Sequence, residues 1–221
     1  MKKCDVLWAL GYSMLFSSVA TIALMGKLTI WNKEFPYLGG FIQFMIFASS
    51  GEILSTRILY GKWEVNKCAI SKAIMWGIGG LFVTIAFKVV SGGVELAMKD
   101  EMLPFYGSHL AKAFFISCSV NLFFAPIHSA AMRIFSNYFE EKYLYNRKMT
   151  VYESVTSVEW GEFVEFSFFK TIPFFWIPVN TLIFLLPEYL QVAFAAMLSL
   201  VFGMLMTLLK HNERMKSERI I

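Results

Sequence analysis

Charge is what this sequence has least of. Only 16% of its 221 residues are Asp, Glu, Lys or Arg, against about 25% in soluble domains. That is too little to coat a soluble surface, and 23 Phe with 13 Met exceed what one soluble core of this length can hide. Cysteine is scarce as well. Cys4, Cys68 and Cys118 are odd in number and far apart, with no Cys-x-x-Cys and no neighbouring His, which excludes a disulfide scaffold or a metal site. They read as small packing residues. Also missing are a Walker loop, Gly-x-Ser-x-Gly, His-Glu-x-x-His and a nucleotide fingerprint, so neither an enzyme nor a cofactor is expected. Low-complexity tracts, fixed-period repeats and a second domain are absent, leaving residues 1–221 as one unit. The net charge of +4 is spread between apolar runs rather than clustered, which argues for a lipid bilayer as partner and against nucleic acid.

What is present is apolar length. The 57% apolar content and mean hydropathy of +0.57 are organised into six runs near the ~20 residues that cross a bilayer. They cover about Asp5–Met25, Tyr37–Leu59, Ala69–Gly92, His109–Tyr138, Phe163–Leu186 and Tyr189–Leu209. The expected fold is all-α, a polytopic bundle of six membrane helices, the last two forming a hairpin across Pro187-Glu188. With both termini in the cytoplasm, that side holds thirteen basic residues, from Lys2 and Lys3 through Lys67 and Lys142 to Arg219. The other side holds four: Lys27, Lys33, Lys99 and Lys112. This bias favours an even number of crossings. Met1-Lys-Lys before an apolar run also looks like a signal peptide, but no small-x-small site precedes Lys27, so an uncleaved span is the reading. The one polar connection, about Glu140–Glu162, is expected at the cytoplasmic surface. It contains Thr150-x-x-Glu153 and Thr156-x-x-Glu159, each with the spacing of a helix-starting capping box.

Polar groups within apolar spans are costly in lipid, so they line a cavity or pair with one another. Glu52 shares a polar stripe with Ser49 and Thr56 on the second span and reads equally as a cavity residue or as the partner of Arg57 or a lysine. Lys88 either snorkels outward or lines an aqueous path, with Thr84 on its face. Asn121, Pro126, His128 and Arg133 share the fourth span, where Pro126 predicts a kink. His128 reads as a titratable path residue or a hydrogen-bonded packing residue. Pro173 and Pro178 predict that the fifth span bends inward, exposing carbonyls that Asn180 can satisfy. Gly77, Gly79 and Gly80 predict close helix packing rather than phosphate binding.

Read in order, these residues resemble the family of the mitochondrial inner-membrane protein Mpv-seventeen and the twenty-two-kilodalton peroxisomal membrane protein. Gly51-Glu52 stands where that family has Gly-Asp. Phe124-Ala125-Pro126 matches its aromatic-Ala/Ser-Pro. The run from Trp176 through Pro178, Leu186-Pro187 and Gln191-Val192 is similar to its closing signature. The likeness spans residues 45–209. Val120-Asn121 replaces the family's Asp-Gln, and Asn180 is offset by about two positions. The resemblance implies a remote bacterial relative in the cytoplasmic (inner) membrane, acting as a small-solute pore. Glu52, Lys88, Asn121, His128 and Asn180 are the candidates for a path taking a small polar or anionic solute, in a monomer or homo-oligomer. The alternatives are a non-transporting scaffold or assembly protein and the substrate-binding subunit of an importer.

Overall fold

A computed structural model describes residues 26–63 and 65–217, with isolated positions between 6 and 17. Most of the expected first span, together with Lys2, Lys3, Cys4 and Arg219, lies outside the described residues. So do the side chains of Lys210, Arg214 and Lys216. All the regular elements among the described residues are helices: α1 Lys27–Glu34, α2 Pro36–Tyr60, α3 Ala69–Lys99, α4 His109–Tyr143, α5 Val151–Thr156, α6 Trp160–Phe184 and α7 Glu188–Ser217. Four of them, α2, α3, α4 and α6, are long and apolar enough to cross a membrane. They coincide with the second to fifth expected spans. The sixth falls on α7, whose described apolar part covers Glu188–Met204.

Local chemistry sets the helix ends. Pro36 opens α2, where its missing N–H costs nothing. Gly61 closes it at φ 68°, a left-handed conformation that a Cβ would strain, and returns its N–H to the Arg57 carbonyl. Ser108 caps α4 by accepting from the Ala111 N–H. Thr150 and Glu153 form a full capping box on α5. The second Thr-x-x-Glu starts nothing: Thr156 closes α5, and its hydroxyl turns back to the Tyr152 and Glu153 carbonyls. Helix α5 folds onto α4, with the Ser154 hydroxyl donating to the Ile134 carbonyl at 2.6 Å.

Packing follows the chain. Helix α2 lies between α3 and α7, α3 reaches α4, and α4 packs along α6. The α2–α3 pair is antiparallel, since Gly40 meets Gly80 at one end and Glu52 meets Lys72 at the other. At the Gly40–Gly80 crossing the backbones touch: a Cβ on Gly80 would lie 2.5 Å from the Phe44 Cβ. Sequence reading anticipated this close approach. The core joins Phe44 and Phe47 of α2, Val83 and Phe87 of α3, Ile116 of α4 and Leu200 of α7. Phe87 also meets Phe184 at 4.7 Å, tying α3 to the end of α6.

Candidate functional site

Helices α4 and α6 are each interrupted at a proline. Val120–Phe124 of α4 is π-helical, and the Ala125 N–H bonds five residues back to Val120, immediately before Pro126. Glu165–Trp176 of α6 is π-helical too, and the Ile177 N–H bonds five residues back to Ile172, immediately before Pro178. A proline ring clashes with the carbonyl four residues earlier in an α-helix. The wider turn relieves that clash. Pro173 sits inside the second π segment. The fifth expected span is therefore helical throughout but not uniformly α-helical.

These interruptions frame a buried polar seam. Asn121, 1% exposed, donates to the Ser117 carbonyl at 2.8 Å. It accepts from the Asn180 amide at 3.2 Å. The Ser117 hydroxyl crosses to the Ile177 carbonyl at 2.8 Å, which also accepts from Thr181. The two asparagines singled out in sequence thus meet, each satisfying part of the other. Ser117 and Thr181, which complete the seam, carry no charge and read as ordinary helix residues.

Beyond the seam, towards the ends of α3 and α6 and the start of α4, lies an open recess of about 380 Å³. Its polar lining comes from Ser91, His109, Lys112, Glu188 and Gln191, and its apolar lining includes Ala113, Ile116 and Phe184. Ile116 adjoins Ser117 in sequence, so the recess ends one residue from the seam. Gln191 donates to the Leu186 carbonyl at 2.9 Å and holds the α6–α7 turn. Lys112 pairs with Glu95 at 2.5 Å.

The remaining candidates lie elsewhere. Glu52 accepts from the Trp76 indole at 2.7 Å and pairs with Lys72 at 3.3 Å. Lys72 is 7% exposed and binds Glu140 as well, at 2.6 Å. The cation facing Glu52 is thus a lysine from the first turn of α3, where sequence reading offered Arg57 or an unspecified lysine. Lys88 stands sixteen residues further along α3, about 24 Å at 1.5 Å per residue, and pairs with Glu188 at 2.7 Å, both side chains well exposed. His128 is half-buried, stacked on Phe124 at 5.2 Å, and its ring lies against Gly79. Pro178 is exposed and Pro173 half-buried. Among the described residues, no three His, Cys, Asp or Glu side chains gather where a metal would bind.

Comparison with known proteins finds no matching family model, curated protein or solved structure.

Proposed function

We propose that the chain is a bacterial inner-membrane protein offering a small polar or anionic solute a path along the α4–α6 seam, closed in this structure. The observation that carries this reading is a polar recess lined by Ile116 and Phe184, next to Ser117 and one helical turn beyond Asn180 of the buried seam, between two helices whose π turns let them adjust locally. The motif order shared with the Mpv-seventeen family supports it. Six spans with both termini cytoplasmic are part of the proposal. In support, Trp8 stacks on Trp63 at 4.8 Å, next to the α2–α3 loop. Thr207 bonds Ser55 at 2.8 Å, so α7 runs towards that same end.

Reconstitution into liposomes tests the path. Asn121→Ala combined with Asn180→Ala is expected to raise flux per folded molecule, because it removes one of the two bridges across the seam and the bulk of both amides. Wild-type protein passing neither ions nor small metabolites would sink the reading. The second reading, a non-transporting scaffold, draws support from Glu52 and Lys88, each held by its own ion pair. It predicts no flux from the wild type and a loss of thermal stability in Glu52→Gln. Copurification with an ATPase would favour the importer subunit.

A further inference from the structure

The recess at the joined ends of α3, α4, α6 and α7 carries charge of both signs. Lys112 lines it from α4 and Glu188 from the start of α7. Each is half of an ion pair, Lys112 with Glu95 and Glu188 with Lys88, so the four groups sum to zero. We propose that this recess binds a small zwitterion, a group carrying an ammonium and an acid a few bonds apart. The proposal narrows the polar or anionic solute of the path above to a zwitterion and rests on that reading for transport, though not for binding.

An ammonium has three N–H donors and a carboxylate about four lone-pair positions. One partner apiece leaves Lys112 free to donate to a guest carboxylate or phosphate, and Glu188 free to accept from a guest ammonium. His109 and Ser91 add donors beside them. A lone anion or cation would gain one contact while facing the opposing charge uncompensated, so the balanced recess discriminates against both. The volume of about 380 Å³ lies within the range of small-molecule sites. Ala113, Ile116 and Phe184 offer a short aliphatic group an apolar wall. Two sources share this chemistry: a free amino acid and the headgroup of phosphatidylethanolamine.

The test is calorimetric titration of the full chain in nanodiscs of phosphatidylglycerol, a lipid without an ammonium. L-Alanine is expected to bind at least about tenfold more tightly than acetate or methylammonium. Lys112→Met and Glu188→Gln should each weaken it about tenfold, while Lys112→Arg, which keeps the cation, retains binding and serves as the folded control. Adding phosphatidylethanolamine assigns the natural occupant: competition with L-alanine points to the headgroup, and none points to the free solute. Acetate or methylammonium binding as tightly as L-alanine would overturn the proposal, as would no L-alanine binding at all. Binding without liposome flux leaves this site standing and removes the path; flux without binding does the reverse.

Discussion

Truncating Lys72 to Met takes one ammonium away from two carboxylates at once. Fully buried pairs broken from one side lose about 3–5 kcal/mol. Glu52 and Glu140 are 34% and 41% exposed, so water recovers part of that. The expected loss is about 1–3 kcal/mol, read as a fall in detergent-solubilised thermal unfolding temperature. Adding Glu52→Gln and Glu140→Gln to that variant should restore much of it, because no uncompensated charge then remains. Lys88→Met provides the contrast. Its pair with Glu188 is 71% and 68% exposed, and such pairs contribute at most about 1 kcal/mol. Gly80→Ala fails differently: the new Cβ meets the Gly40 carbonyl and the Phe44 Cβ, and the backbones cannot part without opening the α2–α3 crossing. Overpacking of this kind costs about 1–3 kcal/mol. A Gly80→Ala protein as stable as wild type would show that the crossing has slack.

At the scale of elements, the Asn121–Asn180 bond holds two interrupted helices in register. Interhelical hydrogen bonds in membranes couple by about 0.6 kcal/mol on average and about 1.7 at most. A double-mutant cycle with Asn121→Leu and Asn180→Leu should return a coupling in that range. A coupling of zero would mean the seam is held by packing and the Ser117–Ile177 bond rather than by the asparagines. The α5 cap carries the pH dependence. Hydrogen bonds from the Thr150 backbone N–H and hydroxyl hold the Glu153 carboxyl below its usual value of 4.5. A depressed folded value stabilises the ionised form. The cap's contribution is thus complete above the usual carboxylate value and disappears as pH falls through the lower folded one. Protection factors across Val151–Thr156, corrected for the slower intrinsic exchange at low pH, should therefore fall on acidification through that window, and Glu153→Gln should remove the dependence.

For the whole molecule, the decisive measurement is sidedness. Reporter fusions at the C-terminus and near Lys99 should report opposite sides of the membrane, because α7 returns to the end where α2 finishes and α3 begins. Signals from the same side would overturn the six-span topology.

The sequence alone determined the class of molecule and the position of its long helices. Burying a backbone in lipid demands about 20 apolar residues in a row, a one-dimensional property, so the ranges expected for the second to fifth spans agree closely with α2, α3, α4 and α6. The α5 cap was legible for the same reason, since Thr150 and Glu153 act across three residues, although the same spacing at Thr156 starts no helix. Which polar groups meet was not legible. Asn121 and Asn180 are 59 residues apart, as are the ends Glu188 and Lys88 by 100, and no local pattern encodes such distances. Nor does proline spacing reveal that the chain answers Pro126 and Pro178 with π turns, because widening a turn depends on the neighbours that receive the displaced side chains. Tertiary structure alone chose Lys72 for Glu52, joined the asparagines into a seam and set the recess above it. Each of these depends on which helix faces which, and packing decides that.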